Sequence, residues 1–390
     1  MSHHTQQIRF CTSVDGTRIA YAICGEGPAL VIAGQPFSHL ESDWDCLVRQ
    51  PLLDFLSQSY TLIRYDMRGT GLSDRDCQEY AFSRYVEDLA AVVVSSGFES
   101  YGLIGFTGGG ALAVEHAASF PKKITRMVIV GSYLRGRLVR STTASETEET
   151  DLIIRLIELG WGQDNPTFRQ LFTYQFWPEG TAEQLHSYDE LMRKATTAKN
   201  AALQLKAWFN ADLRQIAPLV QTPTLVMHSR GDLRMPFEEG RLLAASIPSA
   251  RFVPLDCRNH LPLVQDAVWP QFLDEITRFF NVKVLKHVNP VDHLTSREQA
   301  VMQLLVSGIN TPDMAERLCM SEKTVRNHLS TIYAKLGVNS RVQAVLWMEE
   351  NSEKITRFDS NIAVSKSSKS ANEVSKDWIP PWDRHKSKSK

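Results

Sequence analysis

The sequence predicts a mostly parallel α/β sheet carrying a helical insertion, followed by a small all-helical domain. Three observations predict it. Eight short apolar runs alternate with longer amphipathic stretches over the first 281 or so residues. That alternation lapses between about 137 and 220. Residues 293–352 then hold four short helical segments, each with its own start signal. Strands that alternate with helices place most strands parallel, with helices covering both faces of the sheet. A length of 390 residues suits about two domains.

The strand-like runs are IRFCTSV, RIAYAIC, PALVIAG, YTLIRYD, YGLIGF, RMVIVGS, TPTLVMHS and RFVPLD. Asp15-Gly16, between the first two, is a tight-hairpin signal. Helical patterning covers 84–97, 109–119 and 264–280. The stretch 137–220 has helical patterning, the tryptophans Trp161, Trp177 and Trp208, and no convincing strand, so a helical lid is expected there. Residues 282–292 read as a linker. From 353 the chain is rich in Ser and Lys with too few spaced apolar residues to bury a core, and disorder is expected. Its Lys366, Lys369, Lys376, Lys386, Lys388 and Lys390 would add salt-sensitive attraction to DNA, unless the tail is simply solvated.

Charge excludes several function classes. Lys and Arg number 43 against 44 Asp and Glu, so affinity for nucleic acid must come from a local patch. Cys11, Cys24, Cys46, Cys77, Cys257 and Cys319 form no CxxC pair and no metal-ligand spacing, and buried reduced thiols are expected. That suits a reducing cytoplasm. The N-terminal MSHHTQQIRF lacks the apolar core of a signal peptide, and no run reaches about 18 uninterrupted apolar residues. The expectation is a soluble, cytoplasmic protein with no metal, no cofactor and no membrane partner.

In the C-terminal segment, Thr295 with Glu298 makes a capping box, and Gly308 stops the first helix. Thr311 and Pro312 suit an N-cap and first-position pair for the second. Ser321 caps the third helix, Gly337 ends it, and Ser340 with Gln343 opens the fourth. Short helices joined by tight turns are the geometry of a helix-turn-helix unit. On the third helix Val325, Leu329, Ile332 and Leu336 form a buried stripe, while Lys323, Arg326, Asn327, Ser330 and Thr331 face away. That face combines phosphate donors with side chains able to read base edges, although any surface helix carries such residues. The segment LTSREQAVMQLLVSGINTPDMAERLCMSEKTVRNHLSTIYAKLGVNSRVQAVLW resembles the LuxR/GerE-type domain over its whole length, most diagnostically in LTSRE, SEKTVRNHLS and KLGVNSRVQAV. The resemblance implies that 311–330 is the helix-turn-helix proper. It places Arg326, Asn327 and Ser330 at bases, and Lys323, Thr324 and Lys335 at the DNA backbone. It also implies double-stranded promoter DNA as partner, a homodimer contact through the fourth helix, and RNA polymerase as a further candidate partner. The turn Leu318-Cys319-Met320 departs from it, since a glycine is common there.

In the N-terminal segment, GFTGGG at 105–110 follows a strand and precedes the helix ALAVEHAASF, the setting of a nucleophile elbow. A phosphate loop also follows a strand, but no Lys-Ser/Thr comes after this one. RYDMRGTGLSD at 64–74, Asp232 in HSRGDLRMP and His260 in RNHLPL then fall in the order of the α/β-hydrolase fold, which residues 7–281 resemble. SHLESDW and GSYLRGR resemble the subgroup in which that fold is fused to a LuxR-type domain. The resemblance assigns Thr107, Asp232 and His260 to the triad positions, with Gly108 and Gln35 as oxyanion-hole donors. Asp232 paired with a neighbouring arginine, and His260 as a satisfied pocket histidine, are the simpler alternatives. The nucleophile position departs from the family, because Thr stands where Ser is usual. The elbow needs a φ above zero, which a β-branched residue resists, and the extra methyl crowds attack on a carbonyl. The expectation is a DNA-binding transcriptional regulator whose hydrolase-like domain binds an unknown small-molecule ligand without efficient turnover. An active or slow esterase fused to a DNA-binding domain, and a pure docking module, are the alternatives.

Overall fold

The computed structural model describes residues 6–280 apart from 249, and 294–350 apart from 319, 337 and 339. The expected linker at 282–292, the tail from 353, Cys319 and the Gly337 stop lie outside the described residues. The chain divides into two compact units between residues 285 and 286.

All eight apolar runs form strands, in one sheet of order β1-β2-β4-β3-β5-β6-β7-β8. These are β1 (Gln7–Thr12), β2 (Arg18–Cys24), β3 (Ala29–Ile32), β4 (Thr61–Tyr65), β5 (Tyr101–Phe106), β6 (Ile124–Val130), β7 (Thr224–Ser229) and β8 (Ala250–Leu255). The first two form a hairpin and β2 is antiparallel to β4; the remaining pairs are parallel. The hairpin loop closes with Ser13 N–H on Thr17 O and Gly16 at φ +89°, a longer loop than a two-residue turn. Alternation along the strands splits the core. Val31, Ile63, Leu103, Met127 and Val226 face one layer, and Leu30, Leu62, Ile104, Val128 and Leu225 face the other.

The helices of this unit are α1 (Gln50–Ser57), α2 (Phe82–Ser96), α3 (Gly108–Ser119), α4 (Arg137–Arg140), α5 (Ala144–Gly160), α6 (Thr167–Phe176), α7 (Ala182–Ala195), α8 (Ala198–Phe209), α9 (Phe237–Ser246) and α10 (Trp269–Phe280). Helices α4 to α8 form the insertion between β6 and β7, ending in a short 3₁₀ turn at Ala217–Leu219. Two sequence expectations change. Helix α1 was not foreseen, since its few apolar residues follow a polar turn. Helix α10 starts at Trp269, not 264, because the Asp266 carboxylate takes Leu263 N–H and Asn259 Nδ2 and holds 263–268 in turns.

The second unit comprises α11 (Ser296–Val306), α12 (Thr311–Arg317), α13 (Glu322–Leu336) and α14 (Arg341–Glu350) around its own core of Val301, Leu305, Met314, Val325, Ile332 and Ala344. Thr295 and Glu298 form a reciprocal capping box, and Gly308 follows at φ +77°. The cap of α12 is Asn310, not Thr311: its side chain accepts Asp313 N–H at 2.9 Å, and Pro312 sits inside the first turn. Ser321 Oγ accepts Thr324 N–H, and Ser340 Oγ accepts Gln343 N–H.

Candidate active site and nucleic-acid interface

In parallel α/β sheets the natural crevice lies beyond the C-terminal ends of the strands, where strand order reverses. Here β3 has β4 on one side and β5 on the other, so the reversal falls between β3 and β5. Thr107 lies beyond the end of β5, Gln35 beyond β3, Asp232 beyond β7 and His260 beyond β8. Thr107 caps α3 with φ +53° and ψ −122°, the strained turn of an elbow. Glycine makes that turn possible: a Cβ on Gly105 would stand 2.5 Å from Gly109 O, and one on Gly109 2.0 Å from Gly34 O.

The three triad positions meet. Thr107 Oγ1 and His260 Nε2 are 2.6 Å apart, and His260 Nδ1 lies 2.7 Å from Asp232 Oδ2. Asp232 Oδ1 accepts the backbone N–H groups of Arg234 and Met235, so this carboxylate is aimed by its own loop. His228 Nε2 stands 3.2 Å from Asp232 Oδ2 and bonds Met235 O. Burial pushes the Asp232 carboxyl up, but His260 and His228 outweigh it and hold it far below the ordinary carboxylate range. Gly131, at φ +58°, makes room for the imidazole. His260 N–H donates to Phe176 O, and the Phe176 ring meets the His260 ring edge-on at 5.2 Å between centroids.

Neither Gln35 N–H nor Gly108 N–H has a bond to another described residue, and Gly108 opens α3, where the helix has no carbonyl for it. Pro36 and Phe37, the latter at φ +54°, are clamped by Arg49, which donates to both carbonyls and pairs with Asp43 at 2.6 Å. The cavity over Thr107 is small, about 30 Å³, and its lining includes Phe176, Trp177, Tyr188 and Leu261. Trp208 from α8 lies against Gly108, 2.8 Å from where a Cβ would stand. Sequence reasoning did not single out Arg49, Phe176 or Gly131, and took Trp208 only as a mark of the helical lid, because only the folded chain brings them to Thr107. Asp66, in the expected post-β4 loop, shapes that loop by accepting Leu40 and Leu72 N–H. Arg68 is buried between Asp88 and Asp15.

On α13 the expected stripe Val325, Leu329, Ile332 and Leu336 is buried. Lys323, Thr324, Arg326, Asn327 and Ser330 are exposed, and Arg326 pairs with Glu322 at 3.3 Å. Lys335 differs from the others. Its Nζ lies 2.7 Å from Glu298 Oε2, which ties α13 to the α11 cap.

Comparison with known proteins matches both units. The alpha/beta hydrolase fold family matches residues 38–267, and the luxR family of bacterial regulatory proteins matches 292–348. A pyrrolizixenacetamide deacetylase of Xenorhabdus hominickii is 22% identical over 260 residues, 65% of this chain and 91% of the relative. A putative carbamate hydrolase RutD of Escherichia coli O9:H4 is 27% identical over 219 residues, 55% of this chain and 80% of the relative. Among solved structures, a hydrolase from Pseudomonas aeruginosa PA01 superposes with a TM-score of 0.58 at 22% identity, covering 71% of this chain and 99% of its own. The esterase RhEst1 from Rhodococcus sp. ECU1013 gives 0.57 at 24% identity, covering 70% and 98%. No helix among the described residues is long and apolar enough to cross a membrane. The chain belongs to the alpha/beta hydrolase fold family and carries, over residues 292–348, a helix-turn-helix domain of the luxR family of bacterial regulatory proteins.

Proposed function

We propose that this protein is a transcriptional regulator whose hydrolase-like domain senses a small molecule and binds it without efficient turnover. The observation that carries this reading is Thr107. A β-branched residue at φ +53° sits where backbone strain of about 1–3 kcal/mol is expected. Its methyl group shares a site that is almost filled. Crowding by that methyl at the attacking oxygen is what would suppress turnover, since each 1.4 kcal/mol of added barrier is about tenfold in rate.

The small cavity supports sensing in a second way. Ligand pockets usually measure about 300–1,000 Å³, so a ligand has to displace part of the helical insertion, from which Phe176, Trp177 and Tyr188 line the cavity. A ligand that binds only the opened arrangement shifts that equilibrium by its differential affinity, which is what a sensor needs. Arg326, Asn327 and Ser330 then read bases, and Lys323 and Thr324 hold the phosphates.

The intact relay favours one other reading, slow hydrolysis. His260 could take the Thr107 proton as Oγ1 attacks an ester or amide carbonyl, with Gly108 and Gln35 N–H receiving the oxyanion. The named relatives are a deacetylase and a putative carbamate hydrolase. Turnover of short-chain aryl esters by wild type, Thr107→Ala and Thr107→Ser separates the two. Sensing expects a near-silent wild type and at least a tenfold gain in Thr107→Ser. Activity in wild type that disappears in Thr107→Ala would establish an enzyme instead.

A further inference from the structure

We infer that the ligand of this domain is an uncharged molecule with its polar group at Thr107 and an apolar arm lying between α1 and α10. This rests on the ligand-binding reading above and names the chemical class that the Thr107 cavity selects.

The cavity is walled mostly by hydrocarbon. Ile32 and Phe106 form its floor, where β3 and β5 end. Val48, Leu52 and Leu53, from α1 and the turn before it, line one side. Leu261, Trp269 and Phe272, from α10 and the stretch before it, line another. Both helices pack in the same core layer under the sheet, with Leu53 and Leu56 of α1 and Phe272 and Leu273 of α10 in one cluster. A ligand displaces side chains of the insertion, whereas these sheet-bound walls stay to define what can remain bound.

Charge is the first constraint. Arg49 is the one charged side chain among the lining residues, and it is already committed. It pairs with Asp43 at 2.6 Å, donates to the carbonyls of Pro36 and Phe37, and stacks over the Tyr188 ring at 5.3 Å. The other oxygen of Asp43 holds Arg64 at 2.9 Å. The Asp232 carboxylate does not line the cavity and is taken by His260, His228 and two backbone N–H groups. An ionised group brought into this space finds no free counter-charge, and burying one unpaired is costly.

Hydrogen-bonding groups are few and lie at one end. Trp177 Nε1 donates to Leu261 O at 3.2 Å, and the Tyr188 side chain is engaged by Arg49. Thr107, with its 2.6 Å bond to His260, and Gln35 supply the polar contacts beside the ends of β5 and β3. The opposite end is apolar and reaches the surface. Ile32, Phe106 and Phe272 are buried, whereas Val48, Leu52, Leu261 and Trp269 are only partly buried. The apolar wall therefore runs outward between α1 and α10, and an alkyl or aryl arm along it meets no charge.

The test is calorimetry at pH 7 on the full chain with acetophenone, benzoate and benzamidine, which share a ring and are neutral, anionic and cationic. Ketones are not hydrolysed, so turnover does not disturb the titration. Acetophenone should bind at least tenfold tighter than either ion. Hexanophenone, longer by four methylenes, should bind at least tenfold tighter again, since each buried methylene contributes about fourfold. Leu52→Trp fills the outer end at a partly buried position. It should reduce the hexanophenone gain to less than threefold while keeping acetophenone affinity within threefold. Should that chain fail to fold, Trp269→Leu removes contacts from the opposite wall and should cut the gain at least threefold. Benzoate or benzamidine binding as tightly as acetophenone, no binding by either ketone, no gain for hexanophenone, or a gain that survives in the substituted chain would overturn the assignment and leave sensing standing. Ester turnover in wild type that Thr107→Ala abolishes would overturn sensing and leave the uncharged ligand class standing, as that of a substrate.

Discussion

A Cβ on Gly131 would stand 2.6 Å from His260 Cε1, at a φ of +58° that side chains rarely adopt. Both effects act on one imidazole, whose two nitrogens are already committed to Thr107 and Asp232. Gly131→Ala should destabilise the hydrolase-like unit by about 1–3 kcal/mol in denaturant melts. In a Thr107→Ser background it should also cut ester turnover at least tenfold, because small displacements of a proton-transfer group are expensive. Gly131 was visible in the sequence only at the end of RMVIVGS and the start of GSYLRGR, with nothing to mark it as the floor under a histidine. Thr107, Asp232 and His260 were readable because each follows a recognisable strand in a known order. Arg49 and Arg234 were not, since an arginine in a polar loop looks solvated until the fold buries it.

Helix α3 carries a histidine that the Thr107 relay does not use. His116 is buried, and its Nε2 shares a 2.7 Å hydrogen bond with the Tyr101 hydroxyl on β5. Burial, with Lys123 nearby, lowers its pKa from 6.5 to about 4. Between those values the unfolded chain binds this proton and the folded chain does not, so acid draws the equilibrium toward unfolding. The contribution is present above pH 6.5 and is lost by pH 4, up to about 3 kcal/mol at 1.36 kcal/mol per pH unit. Asp66 opposes it, since burial and then Asp43 push its carboxyl up to about 6, so the folded chain holds that proton longer. Wild-type stability should therefore change little over this range, while His116→Gln should gain on wild type steadily as pH falls from 6.5 to 4. Urea melts at half-unit pH steps check it, and parallel curves for the two chains would contradict it.

The same scale shows where sequence reading of elements succeeds. All eight strands were visible because each is a short apolar run bounded by polar turns, the central ones such as β5 and β7 buried on both faces and the edge strand β1 largely exposed. The start of α10 was misplaced because the competing bonds of Asp266 are tertiary. The α12 cap moved by one residue because Asn310 and Thr311 are both good caps, and only the backbone bond to Asp313 decides between them. On α13, Arg326→Ala should weaken operator binding by about 1–3 kcal/mol and relax base preference at one position. Lys323→Ala should instead weaken all sequences alike and lower the salt slope by about one. Gel-shift titrations on operator and scrambled DNA at several salt concentrations separate the two outcomes.

At the scale of the whole molecule, the two units have separate cores, one on either side of the β-sheet and one around Val301, Leu305 and Ile332. Separate cores permit separate unfolding transitions, so a single Tm would misdescribe the chain. A ligand of the first unit should raise that unit's transition by mass action. Its influence on DNA is a different quantity, a coupling free energy between sites, and coupling is reciprocal. If a ligand weakens operator binding tenfold, saturating operator DNA must weaken ligand binding tenfold, whatever route the coupling takes through the chain. The expected result is therefore a ligand Kd that shifts with operator by the same factor, and in the same direction, as operator Kd shifts with ligand. Calorimetric ligand titrations with and without operator, set beside gel shifts with and without ligand, measure both legs of that cycle. A ligand that binds tightly yet leaves both legs unchanged would make the hydrolase-like unit a passenger, and the altered nucleophile at Thr107 would then need an explanation other than sensing.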